Sequence, residues 1–328
     1  MNQYIKEKLK PLGVHNKKAL LIVRTPFQAW LAEKVIEKER IRNFDVIYFT
    51  QNDSDEDRSY YSELKVKARR SKYIFVVRQR YDILNHLNFW LRSRLFLWRQ
   101  EYSSIMLSSI ESHVINSISN RFRYSRLVTF DDGTANYNTS GVYFSELESA
   151  RSLLYRKFFG GVPLSVVKKR ISRHYTVQPR LGNIVSEPKL FCIDGWGYKN
   201  QSGQFRLPPK TYFLGAPFSE FLNSGQIKRL ETLVRDEGVD VYVRHPRETD
   251  PLELGVPFLE KNGLIAEEAI LRDSQERPIR LIGSLSSVMF NLSGMATQRT
   301  VFVSATQNSN SDLVGIAKKA GCEVVVFE

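Results

Sequence analysis

This chain of 328 residues has few cysteines, few acids relative to its bases, and no long hydrophobic run. No stretch approaches the roughly 18 apolar residues that span a bilayer, so no membrane-spanning helix is expected. The opening MNQYIKEKLKPLG is too short in apolar length and too charged for a secretory signal, and a cytoplasmic protein is expected. Only two cysteines occur, Cys192 and Cys322. Their separation excludes a zinc finger and a disulfide framework. Each falls in a strand-like run, so both are read as buried thiols in a reducing compartment. Acids number 35 against 48 Lys and Arg, a net charge of +13. That excess invites a nucleic-acid partner. The bases are dispersed, however, and neither zinc spacing nor an aromatic RNA-binding signature is present, so no nucleic-acid partner is expected. Local basic clusters at 65–70 and 168–173 suit anionic lipid head groups instead. The stretch FWLRSRLFLW at 89–98 reads either as a membrane-surface helix or as a core helix with exposed arginines.

An apolar fraction of 42% supports real cores, and the length supports two domains. Apolar runs at 19–23, 44–49, 73–77, 105–107 and 127–130 read as strands. Helical patterns lie between them, after Pro26 and near 55–70, 85–100 and 110–121. The theme resumes with strands at 211–214, 239–243, 279–282, 301–303 and 323–327, and helices at 219–237, 265–272, 285–297 and 310–320. The stretch 177–210, rich in Pro, Gly, Ser and Asn, reads as a connection. This alternation predicts an α/β fold with two Rossmann-like domains, 1–176 and 211–328, facing each other across a cleft. Ligands in such sheets bind beyond the strands' carboxyl ends.

Three polar motifs fall at those ends. Asp131-Asp132-Gly133 follows a strand. Adjacent carboxylates repel, which suits one of them to act as a base while the other is structural. His245-Pro246-Arg247 follows 239–244, and Pro246 restrains the backbone beside an imidazole able to serve a phosphate oxygen, with arginines adding charge. Ser284, Ser286 and Ser287 lie between a strand and a helix start, where hydroxyls and free N–H groups form a phosphate cradle. Gly215-Ala216-Pro217 is a weaker candidate for backbone contact with a donor. The acidic string 52–57 reads as a capping box from Ser54 to Asp57 rather than a metal–diphosphate holder, and no metal or other cofactor is expected. His15, His86, His113 and His174 read as structural or surface residues.

Together these motifs resemble the bacterial sialyltransferases of glycosyltransferase family 52. Related families share an acidic-acidic-glycine motif, a His-Pro motif and a serine motif in this order. Phe130 to Asn136, His174-Tyr175-Thr176, Leu214 to Pro217 and Ile265 to Leu271 are similar to that family as well. The resemblance implies a GT-B architecture and CMP-sialic acid as donor. It implies a terminal galactoside of lipooligosaccharide or another surface glycan as acceptor, inversion at the anomeric carbon, and no metal. A glucosyl nucleotide is the alternative donor. By the resemblance His245 serves the departing CMP phosphate, Ser286 and Ser287 contact phosphate, and Glu267 or Glu268 holds the ribose diol. Asp131 or Asp132 is the base. Some members place a candidate base just after the Gly-X-Pro turn, where this chain has Phe218, with Glu220 two residues on. A homodimer at the inner membrane face, against anionic lipid, completes the expectation.

Overall fold

A computed structural model of the protein describes residues 18–77, 82–145, 149–196, 207–305 and 312–328. The charged N-terminal stretch, His15, and residues 310–311 of the expected last helix lie outside the described residues.

The first sheet has seven parallel strands in the order β3-β2-β1-β4-β5-β6-β7. They are β1 (Ala19–Val23), β2 (Phe44–Thr50), β3 (Arg70–Phe75), β4 (Ser104–Leu107), β5 (Arg126–Phe130), β6 (Ile171–Thr176) and β7 (Leu190–Cys192). β1 is apolar throughout because both its faces are covered, as parallel central strands require. Leu21 and Val23 pack beneath α1 (Pro26–Glu39) and α2 (Asp55–Lys67). Leu20 and Ile22 point to the other face, under α3 (Asp82–Phe96), α4 (His113–Arg121), α5 (Ala150–Phe159) and α6 (Leu164–Arg170).

The second sheet has five parallel strands in the order β12-β11-β10-β8-β9: β8 (Lys210–Leu214), β9 (Val241–Val243), β10 (Ile279–Gly283), β11 (Ala296–Ser304) and β12 (Glu323–Phe327). Its helices are α7 (Ser224–Asp236), α8 (Ala266–Ser274), α9 (Ser287–Asn291) and α10 (Asp312–Lys319). Helix starts follow local chemistry. Thr25 caps α1, with Pro26 in the first turn, and Asn223 and Gln226 form a capping box at α7.

The structure departs from the sequence reading at four places. The expected connection 177–210 contributes a strand, β7, paired in parallel with β6. As the short edge strand it leaves Cys192 exposed, while Cys322 is buried as expected. The expected helix 285–297 is only α9, because the chain turns at 292–295 and begins a nine-residue strand at Ala296. Helices α5 and α6 and strand β6 had no expectation: only Phe159 of α5 and Val167 of α6 are buried, too little apolar periodicity to read. No helix among the described residues is long and apolar enough to cross a membrane.

Candidate active site

In each sheet the strand order reverses at one crevice, β1/β4 in the first and β8/β10 in the second, the places where open parallel sheets take ligands. The two carboxyl edges face each other. A Cβ placed on Gly133, just past β5, would lie 3.7 Å from Cβ of Ser287 at the start of α9. Tyr60 of α2 bonds Glu268 of α8, Lys261 pairs with Glu56, and Gln178 Nε2 donates to the Phe290 carbonyl at 2.6 Å. Asp132 lines three chambers, of about 740, 290 and 600 Å³; a fourth, of about 510 Å³ between Tyr137, Gln178 and Asp312, lies apart from it. Gly133, Gly215, His245, Ser286 and Ser287 line both the 290 and the 600 Å³ chamber.

The two aspartates part company. Asp131 is fully buried and lines none of these chambers. Its carboxylate accepts from Tyr137 Oη at 2.7 Å, Thr176 Oγ1 at 2.7 Å, the Val177 N–H at 3.0 Å and Asn183 Nδ2 at 3.2 Å. His174, buried beneath it, bonds it through Nε2 at 3.1 Å and Thr129 through Nδ1 at 2.8 Å. Asp131 thus ties β5 to β6 and the turn beyond. Asp132 turns to the cleft and is held there by three donors: Gln28 Nε2, Ser109 Oγ at 2.8 Å and Tyr143 Oη at 3.0 Å. Of the pair expected to contain a base, only Asp132 reaches solvent-filled space.

His245 lies two residues past β9. The Arg247 N–H donates to His245 Nδ1 at 3.1 Å. A backbone N–H can only donate, so the neutral ring carries its proton on Nε2. Burial, then the positive charges of Arg247 and Lys261, lower the imidazole pKa to about 4. Arg247 pairs with Glu220 at 3.6 Å, and both line the 600 Å³ chamber. Pro246 lines the 290 Å³ chamber. Behind this loop sits Glu248, which sequence reasoning missed. It accepts from Tyr242 Oη at 2.6 Å and from the His245 N–H at 3.3 Å, and burial raises its pKa. Gly215 fits against it: a Cβ there would lie 2.5 Å from Glu248 Oε2 and 2.8 Å from Tyr242 Cε1. Glu248 therefore couples the Gly-Ala-Pro turn to the His-Pro turn.

Ser286 caps α9, its hydroxyl accepting from the Val288 N–H at 3.3 Å, which leaves the hydroxyl proton for a ligand. Ser284 lines the 600 Å³ chamber. The turn starts at Gly283, whose φ is +152° and whose Cβ would strike the Leu214 carbonyl at 2.4 Å. Glu267 is buried against the 290 Å³ chamber, accepts from Asn291 Nδ2 at 2.8 Å, and has its pKa raised by burial. Glu268 lines none of the three chambers; its carboxylate is spent on Tyr60.

The acidic string is likewise spent internally. Ser54 and Asp57 form a reciprocal capping box, Asp57 also accepts from Tyr48 and Thr50, and Asp53 pairs with Arg58 at 2.8 Å. The largest chamber holds residues no motif announced: Arg24, Gln28, Ser109 and Glu111. Burial and then the charge of Asp132 push the Glu111 carboxyl pKa up, and Arg24 stands 3.5 Å from it. They follow β1 and β4, so the switch-point rule is the signal that could have found them.

The chain has relatives among known proteins. Over 278 residues, 83% of this chain and 88% of the relative, the chain is 25% identical to an N-acetyllactosaminide alpha-2,3-sialyltransferase of Haemophilus influenzae. It is 24% identical to a protein of the same description from Neisseria meningitidis, over 79% of this chain and 70% of that one. It is also 24% identical to a CMP-N-acetylneuraminate:beta-galactoside alpha-2,3-sialyltransferase of Pasteurella multocida, over 83% and 86%. The crystal structure of the glycotransferase of kitacinnamycin shares the fold, a GT-B pair of Rossmann-like units. Its TM-score is 0.53 over 96% of this chain and 86% of that one, at 11% identity. The model of glycosyltransferase family 52 matches residues 42–306, and the chain belongs to that family of glycosyltransferases.

Proposed function

We propose that this glycosyltransferase is a sialyltransferase, moving sialic acid from CMP-sialic acid to a terminal galactoside of lipooligosaccharide or another surface glycan. The observation that carries the reading is the meeting of Asp132, His245, Ser286 and Ser287 around shared chambers. The names of the three relatives support the donor and acceptor. The chain's resemblance to its family supports a homodimer.

An acceptor hydroxyl in the 740 Å³ chamber attacks the anomeric carbon of the donor as the bond from that carbon to the phosphate oxygen breaks. Asp132 takes the hydroxyl proton, which a carboxylate held by three neutral donors is oriented to do. CMP departs with the bonding pair, and His245 meets its phosphate with Nε2–H. Arg247, Ser286 and Ser287 add charge and donors where negative charge develops. Glu267 takes the ribose hydroxyls. Attack from the side opposite the leaving group inverts the anomeric centre. A metal-independent reaction is supported by the internal use of Asp53, Glu56 and Asp57 in the acidic string described above.

Thermal melting with CMP, UDP, GDP and ADP tests the donor. A ligand that binds only the folded state at a hundred times its Kd adds about 2.7 kcal/mol of stability. CMP is expected to raise the melting temperature most. Stabilisation by UDP and not by CMP would assign another nucleotide sugar, such as a glucosyl donor.

A further inference from the structure

The largest chamber holds two carboxyls, Asp132 and Glu111, and so far only the first has a task. Asp132 accepts from Gln28, Ser109 and Tyr143. Glu111, past β4, is joined to it through the Tyr143 hydroxyl, which donates to Asp132 Oδ2 at 3.0 Å and also meets the Glu111 carboxyl. The Glu111 side chain is 26% exposed and lines the chamber, yet its Oε2 is sealed from solvent and no donor among the described residues reaches it. Arg24 Nη1 stands 3.5 Å from Oε1, beyond the usual hydrogen-bond range, with its guanidinium over the Phe49 ring.

A carboxylate spreads its charge over both oxygens, so an ionised Glu111 would bury part of a charge on an atom that nothing meets. A neutral carboxylic acid leaves the charge on Asp132, which has three donors to hold it. Burial and the Asp132 charge both favour the acid form of Glu111, and outweigh Arg24 past β1, which opposes it. His113 of α4, His86 of α3, Arg151 and Tyr155 of α5, and Arg247 complete the titratable and charged lining. An anion beside a neutral acid suits a pair of neighbouring hydroxyls, since the anion accepts and the acid donates. We propose that Glu111 is an acceptor-specificity residue: as a carboxylic acid it donates to a sugar hydroxyl adjacent to the one Asp132 deprotonates, so the enzyme selects acceptors carrying a vicinal diol at the reacting position. Glu111 keeps its proton throughout, and the proton of the attacking hydroxyl goes to Asp132. The acceptor's being a sugar rests on the transfer reading above; the acid form of Glu111 does not.

Two measurements test it. Carboxyl 13C NMR of the free protein, with Glu111→Gln identifying the signal, uses neither donor nor acceptor. Glu111 titrates above the ordinary glutamate midpoint of about 4.3, and Asp132→Asn brings it down. A midpoint at or below 4.3, or one indifferent to Asp132→Asn, overturns the assignment. The second measurement is transfer to a galactoside and to its monodeoxy analogues. Glu111→Ala raises the acceptor KM about tenfold with melting temperature and CMP affinity kept. Glu111→Gln, whose amide donates at every pH, restores most of that factor. It also removes the rise in acceptor KM that the wild type shows as pH increases and Glu111 loses its proton. One deoxy analogue loses the same factor on the wild type and nothing more on Glu111→Ala. If Glu111→Gln is no better than Glu111→Ala, Glu111 acts as an anion and the proposal fails. It fails too if every deoxy analogue adds its full loss to that of Glu111→Ala. Absence of transfer to every galactoside sinks the transfer reading, whereas the NMR midpoint decides the acid form of Glu111 either way, so the two failures are distinguishable.

Discussion

Asp131 and Asp132 share a peptide bond and have opposite surroundings. One carboxylate is sealed among side-chain and backbone donors and the other borders three chambers of the cleft. Their substitutions should separate accordingly. Asp132→Asn is expected to lower turnover about 10²- to 10⁴-fold with melting temperature and CMP affinity kept. Asp131→Asn, which places an amide against a set of donors, is expected to cost about 3 kcal/mol of stability by denaturant unfolding. The reverse pattern would move the base to Asp131. His245 offers a second test. Its folded pKa is about 4 against an ordinary 6.5. The unfolded chain therefore takes up a proton near pH 6.5 that the folded chain refuses until about 4. This group's contribution to stability is complete above 6.5 and is lost as pH falls through about 4. By NMR the His245 ring should titrate near 4 in the free protein and higher with CMP bound, since phosphate favours the imidazolium. A midpoint near 6.5 without ligand contradicts the buried, cation-flanked setting. At this scale the residue types were legible from order and spacing alone. Which aspartate faces the cleft was not, because that depends on Thr176, Val177 and Asn183, more than forty positions away in sequence.

Strands and turns decide where those side chains stand. The Gly215 turn and the His245 turn leave adjacent strands, β8 and β9, and Glu248 stitches them. Gly215→Ala puts a methyl into that carboxylate. The expected result is a rise in the donor KM of about tenfold or more, with a stability loss of about 1–3 kcal/mol from overpacking. An unchanged KM would show that the turn does not shape the donor chamber. Central strands were legible as apolar runs, since burial on both faces leaves few polar residues. Edge strand β7 and outer helices α5 and α6 were not, because they bury little. The helix expected over 285–297 failed for another reason: Met289, Leu292 and Ala296 keep helical spacing through the turn at 292–295, so periodicity alone did not mark where α9 stops.

At the scale of the whole molecule, two sheets turn their carboxyl edges toward each other. Glu56–Lys261, Tyr60–Glu268 and Gln178–Phe290 bridge the gap. The alternation of strands and helices made two such sheets legible, and the three motifs marked their carboxyl ends. The chamber walls contributed by Arg24, Gln28 and Glu111 were not legible, since nothing local distinguishes these residues from ordinary helix and loop positions. The central claim is that these edges enclose one cytidine monophosphate. A crystal structure with CMP tests it most directly. The account predicts the phosphate within hydrogen-bond reach of His245 Nε2 and of a Ser286 or Ser287 hydroxyl, with the ribose on Glu267 and Asp132 facing the open side. CMP bound elsewhere, or in the cleft with its phosphate turned away from His245 and both serines, would contradict it.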